Sequence, residues 1–262
     1  MKNHVTALLL AISAGAMSVA CGSDDSNGSG GSGGMGNVGG NGGMGNSDLE
    51  LKADATGYVQ NDAIGIKGAW YAYADSIGSN GMPPGNCQTI GMHPDSECAQ
   101  VTSPAPGSFP NTDNKLCTEG TVEAVGMLNG MPDYSNQWGA GIGLDFNNAG
   151  MGATKMPFNA QAAGVKGVSF EIDMPPGTGL RVEFPDAATD GKSAAYWGAT
   201  SSYGPSPVKA GLNTITWDKV VPPEATIPML DTTKLMGIQF HVPTSSTKAT
   251  YKFCISKLSV IK

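Results

Sequence analysis

Arg181, Glu183, Gln239 and His241 are the residues of this chain whose types and spacing best suit chemistry. In Leu180-Arg181-Val182-Glu183-Phe184 the two charged residues alternate with apolar ones, and in Ile238-Gln239-Phe240-His241-Val242 the amide and the imidazole do the same. Ile142-Gly143-Leu144-Asp145-Phe146 places Asp145 in this way, and Val168-Ser169-Phe170-Glu171-Ile172 places Glu171. Period-two alternation sends successive side chains to opposite faces of a strand. Apolar residues are therefore expected inside. Asp145, Glu171, Arg181, Glu183, Gln239 and His241 are expected together on an outward face. A face that is only solvated would use Lys, Thr and Ser. This set offers planar and bidentate hydrogen bonding, which suits recognition of a polar ligand. Arg181 is the only arginine of the chain, and its competing reading is a structural ion pair with Glu183 or Glu171.

Aromatic residues stand near these segments. Trp138, after Tyr134, precedes the Asp145 segment, and Tyr196-Trp197-Gly198 lies in a loop-rich stretch. Flat apolar rings beside a polar strand face match the C–H faces of a sugar ring, while the polar groups take its hydroxyls. Trp138, Tyr196 and Trp197 are read as such a platform, with core packing the rival reading for the two tryptophans. Trp70 and Trp217 are read as core.

Catalytic signatures are weak. The sequence has no Gly-x-Ser-x-Gly, no HExxH and no nucleotide loop. Glu171 and Glu183 could face each other as a glycosidase pair. His241 with Asp145 could form a base and its orienting group, but no nucleophile accompanies them. A non-catalytic protein is expected.

These residues need strands to hold them. Short alternating runs bounded by Gly, Pro, Asn and Asp predict strands near Gly65–Ala74, Cys117–Val125, Gly139–Phe146, Val165–Asp173, Gly179–Phe184, Leu212–Trp217, Leu235–Val242 and Thr250–Val260. Pro175-Pro176-Gly177-Thr178-Gly179 reads as a turn between two of them. Helix-period stretches are nearly absent. The expected fold is all-β, a β-sandwich of the jelly-roll kind, over Asp48–Lys262.

The front of the chain reads differently. Met1–Ala20 has Lys2, an apolar run from Val5 to Ile12 and small residues up to Ala20, which is a secretory signal. The run is too short to span a bilayer as a helix. Ser18-Val19-Ala20-Cys21 resembles the lipobox of bacterial lipoproteins, with Ser18 where that family usually has Leu. The resemblance implies lipidation of Cys21 and a protein anchored in the bacterial cell envelope. Residues 21–47 continue as Gly, Ser, Asn and Met, with Gly33-Gly34-Met35-Gly36-Asn37 repeated at Gly42-Gly43-Met44-Gly45-Asn46. Such a stretch has nothing to bury and reads as a flexible tether of roughly 28 Å.

The chain carries a formal charge of −7 and shows no basic stripe, so nucleic acid is not an expected partner. A monomer is expected. Cys87, Cys98, Cys117 and Cys254 follow the tether, and an even count in an exported chain reads as disulfides. Three pairings exist. Cys87 and Cys98 flank a loop-like segment, so Cys87–Cys98 with Cys117–Cys254 is the expected pairing.

Several runs resemble jelly-roll modules of the galactose-binding-domain-like class. Gly68-Ala69-Trp70-Tyr71-Ala72-Tyr73-Ala74-Asp75 looks like their opening strand, and Gly164 to Ile172 is similar to a central one. Gly141 to Phe146, Leu180-Arg181-Val182 and Tyr196-Trp197-Gly198 also match, and Tyr251 to Val260 looks like the last strand. The resemblance implies non-catalytic binding of polysaccharide on the concave face. It also implies a structural calcium near the first and last strands. Ile255-Ser256-Lys257 stands where the family often has Ile-Asp-Asp, which removes acidic ligands; Asp54, Asn61, Asp62 and Asp75 remain as oxygen donors. The alternatives to glycan binding are a structural or adhesion lipoprotein without a glycan ligand and, less well supported, a glycoside-active enzyme using paired carboxylates.

Overall fold

Alternation does what it predicts: the chain forms two antiparallel sheets packed face to face. The computed structural model describes residues 49–75, 99–103, 115–128, 131–132, 134, 137–150, 154–191, 195–197, 208–222 and 224–262. The expectations for the signal, Cys21, the tether, Cys87 and Cys98 lie outside these residues.

In chain order the strands are β1 (Tyr58–Asn61), β2 (Ile66–Ala74), β3 (Gln100–Ser103), β4 (Lys115–Val122), β5 (Met127–Leu128), β6 (Met131–Pro132), β7 (Gly139–Asp145), β8 (Gly167–Asp173), β9 (Arg181–Phe184), β10 (Ala195–Trp197), β11 (Gly211–Thr216), β12 (Gly237–Pro243) and β13 (Ala249–Ile261). The first sheet has the order β1-β2-β7-β12-β9-β10, and the second β11-β8-β13-β4-β3. β5 and β6 form a small ribbon of their own. From β7 onward the longer strands alternate sheets, β7, β9 and β12 in the first and β8, β11 and β13 in the second. Each of the eight expected strands is present. Ala195–Trp197, expected in a loop, instead pairs along β9 as an edge strand.

The core lies between the sheets. Ile142 and Leu144 of β7, Ile238 and Phe240 of β12, Val168 and Phe170 of β8, and Phe253 and Ile255 of β13 are fully buried there. Phe170 meets Phe240 edge-on across the gap at 5.0 Å, and Trp70 stacks on Phe240 at 6.1 Å. Each such side chain contributes about 1.5–3 kcal/mol by leaving water. Trp70 is thus core, as expected. Trp217 sits at its margin, half-buried, packing edge-on against Phe184 and donating its indole N–H to the Val165 carbonyl at 2.9 Å. The turn at Pro175–Thr178 closes with the Thr178 hydroxyl donating to the Pro175 carbonyl, and Gly177 takes a φ of 85°.

Cys117 and Cys254 lie directly opposite each other on β4 and β13 and are joined by a disulfide. The outer face of this second sheet carries cation–carboxylate pairs, Lys252–Glu119 at 2.9 Å and Lys115–Asp173 at 3.7 Å. Glu171 belongs here, paired with Lys257 at 2.7 Å. It is on the sheet opposite the one that carries Arg181, Glu183, Gln239 and His241. Glu171 therefore cannot share a face with them or form a carboxylate pair with Glu183. Alternation gives a side chain's direction relative to its own strand, not the sheet that strand joins.

Candidate functional site

The outer face of the first sheet is unlike that of the second. Strand register aligns Tyr71, Gly143, Gln239 and Glu183 in one row across β2, β7, β12 and β9. The next row is Tyr73, Gly141, His241 and Arg181. Gly143 lies under the Tyr71 ring, and Gly141 is confined by the Phe240 carbonyl as well as by the Tyr73 hydroxyl. A Cβ on Gly143 would stand 2.5 Å from the Tyr71 hydroxyl, and one on Gly141 3.0 Å from the Tyr73 hydroxyl. Both tyrosines therefore lean across β7 toward β12. The Tyr71 hydroxyl accepts a hydrogen bond from the Gln239 amide at 3.0 Å. Burial raises the Tyr71 phenol to about 12, with Lys155 working against it.

Tyr71, Tyr73, Trp138 and His241 form a run of ring contacts. Tyr73 lies 5.9 Å from Tyr71, 5.5 Å from Trp138 and 6.0 Å from His241. The Trp138 carbonyl stands 2.7 Å from His241 Nε2. A carbonyl only accepts, so Nε2 carries a proton. Nδ1 lies 2.8 Å from Glu183 Oε1 and 3.1 Å from Arg181 Nη2. Arg181 Nε contacts the same Glu183 oxygen at 2.7 Å. Two states fit this geometry. A bare Nδ1 accepts from Arg181; a protonated Nδ1 donates to Glu183. Burial works against the charge of Glu183, yet His241 and then Arg181 outweigh it and hold the carboxyl below its usual range.

At the other end of the face, Asp145 joins a second cluster. Lys155 Nζ sits 3.0 Å from Asp145 and 2.9 Å from Asp190, and the Asn148 amide donates to Asp145 at 3.0 Å. Burial alone would lower the Lys155 ammonium, but Tyr71, Asp145 and Asp190 around it raise it.

The structure thus brings together Asp145, Arg181, Glu183, Gln239, His241 and Trp138, and leaves Glu171 out. Tyr196 and Trp197 continue the sheet on β10, opposite Glu183 and Val182; their side chains lie outside the description. His241 does not pair with Asp145, since Glu183, Arg181 and the Trp138 carbonyl take its nitrogens. The face points outward but is less solvated than expected: Glu183 is 7% exposed and His241 4%. The Arg181–Glu183 ion pair, the competing reading of Arg181, does form.

Tyr71, Tyr73, Lys155 and Asp190 were not singled out by sequence. The two tyrosines carried a signal, since both are out of phase with the buried Trp70. Lys155 and Asp190 carried none, because loops have no period.

The residues named as calcium donors do not converge. Asp54 already accepts N–H groups of Thr56 and Tyr58, Asn61 points its amide N–H at the Glu50 carbonyl, and Asp62 takes the Gln60 amide. Among the described residues no group of three or more His, Cys, Asp or Glu is placed to hold a metal ion. These residues do not fit the calcium site that the resemblance implies.

Compared with known proteins, the chain matches no family model, no curated protein and no solved structure. Glu183, Asp145 and Asp190 on this face are each engaged by a cation, and none of the side chains assembled there is a serine, threonine or cysteine.

Proposed function

We propose that this protein is an exported bacterial lipoprotein, held in the cell envelope through Cys21, that binds polysaccharide non-catalytically on the outer face of its first sheet. The observation that carries this reading is the aromatic run Tyr71–Tyr73–Trp138 set beside Gln239, His241, Arg181, Glu183 and Asp145. Rings supply stacking surface, and the planar amide, guanidinium and carboxylates supply hydroxyl contacts. Glu183 and Asp145 are each committed to a cation, which suits binding better than acid–base work on a glycosidic bond. The lipobox-like sequence and the galactose-binding-like motifs support the same reading.

Affinity-gel electrophoresis of the full-length chain against a panel of polysaccharides, with Trp138→Ala and Tyr73→Ala beside the wild type, tests it. Retardation of the wild type by one gel, weakened in both variants, is expected. Equal mobility in every gel overturns it. A second reading, a structural or adhesion lipoprotein, has one specific observation in its favour: Arg181, Glu183 and His241 satisfy one another without a ligand.

A further inference from the structure

The segment Gln137–Gly139, which presents Trp138 to the face, is held at every residue. Gln137 is buried and its side-chain oxygen accepts the Gly126 N–H at 2.6 Å. The Trp138 carbonyl accepts from His241 and from the Thr244 N–H at 3.2 Å. The Gly139 carbonyl accepts the Asp75 N–H at 3.0 Å. Gly139 has a φ of 120°, and a Cβ there would stand 2.1 Å from the Val242 carbonyl oxygen. The segment therefore has few ways to adjust.

Asp75 follows β2 directly. It is 1% exposed, and among the described residues neither carboxyl oxygen reaches a hydrogen bond of good geometry. Around it are the backbone N–H groups of Gly139, Ala99, Asp75 itself and Trp138. Of the titratable groups on β13, the buried Tyr251 is close enough to feel its charge, with Thr118 of β4 beside Tyr251. Burial raises its carboxyl to about 7 despite the surrounding amides. A buried neutral carboxyl asks little of its neighbours. A carboxylate in the same place must be solvated, and the donors at hand are the amides of Gly139 and Ala99, then those of Asp75 itself and Trp138.

We propose that Asp75 is a positioning residue for the binding face: gain or loss of its proton draws on the Trp138 and Gly139 amides and so moves the Trp138 ring against Tyr73 and its carbonyl against His241. The inference deepens the proposed function by giving the face a control point. It rests on that reading only for what the movement does to a bound glycan, since the geometry involves no ligand.

The test is NMR on the full-length chain, with labelled carboxyl carbon in Asp and labelled indole nitrogen in Trp, between about pH 5 and 9. Asp75→Asn and Trp138→Phe assign the two signals. The Asp75 carboxyl and the Trp138 indole are expected to titrate with one shared midpoint. The Trp138 step should vanish in Asp75→Asn and persist in His241→Asn. A flat Trp138 signal, unequal midpoints in the wild type, or a step that survives Asp75→Asn overturns the inference. If Asp75→Asn does not fold, the two wild-type midpoints still decide. Gel retardation by hydroxyethylcellulose and laminarin, run at both ends of the range, is a separate arm. Its failure counts against the glycan reading, while the NMR result decides the role of Asp75.

Discussion

The carbonyl oxygen of Trp138 lies 2.7 Å from Nε2 of His241, so a backbone group next to β7 fixes the imidazole of β12. With Nε2 committed, Nδ1 is aimed at Glu183 and Arg181. One carbonyl thereby ties the aromatic end of the face to its charged centre.

Glu183→Ala removes the shared partner of Arg181 and His241. Breaking a buried pair by deleting one member costs about 3–5 kcal/mol. Arg181 keeps 19% of its side-chain surface exposed, so a loss near the low end, about 3 kcal/mol, is expected. Urea denaturation of the variant and the wild type measures it. Arg181→Ala should also destabilise, because it leaves Glu183 buried beside only one partner; an unchanged midpoint would show the triad to be energetically idle.

Gly143→Ala should force the Tyr71 ring off β7 and break its contact with Gln239, costing about 1–3 kcal/mol as overpacking does. Gly179→Ala is the control, since nothing lies within 4 Å of a Cβ there. Comparing their melting temperatures separates close packing from a general intolerance of alanine.

The Cys117–Cys254 disulfide closes a separation of 137 residues. The chain-entropy model gives about 5 kcal/mol for a loop of this size, an upper value. Cys117→Ser with Cys254→Ser should lower the urea midpoint without altering the sheet signature in circular dichroism.

Stability should peak at mildly acidic pH. Asp75 has a folded value of about 7 against an ordinary 3.8, so the native state binds its proton more tightly. Its contribution is complete below the ordinary value and is lost as pH rises through 7, by about 4 kcal/mol at most. Glu183 acts in the opposite sense: its folded value is lowered from 4.5, so its contribution is present above 4.5 and is lost as pH falls. Asp75→Asn should flatten the alkaline limb only. Denaturation midpoints across this pH range read both limbs.

The strands were legible because their core faces alternate strictly: Val168, Phe170 and Ile172 on β8, or Ile238, Phe240 and Val242 on β12. Period two states which side chains share a side of one strand. It does not state neighbours, so it groups Glu171 with Arg181 although their strands lie in different sheets. Edge strands such as β1 and β10 escape this reading because Tyr-Val-Gln-Asn and Ala-Tyr-Trp do not alternate apolar with polar residues. The face was half legible. Asp145, Gln239 and His241 followed from alternation, whereas Lys155 and Asp190 reach Asp145 from loops by long-range folding. That Glu183 and His241 would be covered rather than solvated depends on rings from β2 and on Trp138, which no local pattern announces.

The segment ahead of β1 lies along β13: the Leu51 N–H bonds the Leu258 carbonyl at 2.7 Å, and Glu50 bridges Ser259. β13 is hydrogen-bonded on both edges, to β4 and β8, and is stapled to β4 through Cys254. A pull on the chain before Leu49 therefore meets β13 of the second sheet as well as β1 of the first. Leu51 ties this segment to β13 and its disulfide, while the Glu50 carbonyl, accepting from Asn61, and the Ala53–Val59 bridge tie it to β1 of the first sheet. The segment Glu50–Ala53 thus joins the two sheets of the sandwich where the chain enters it.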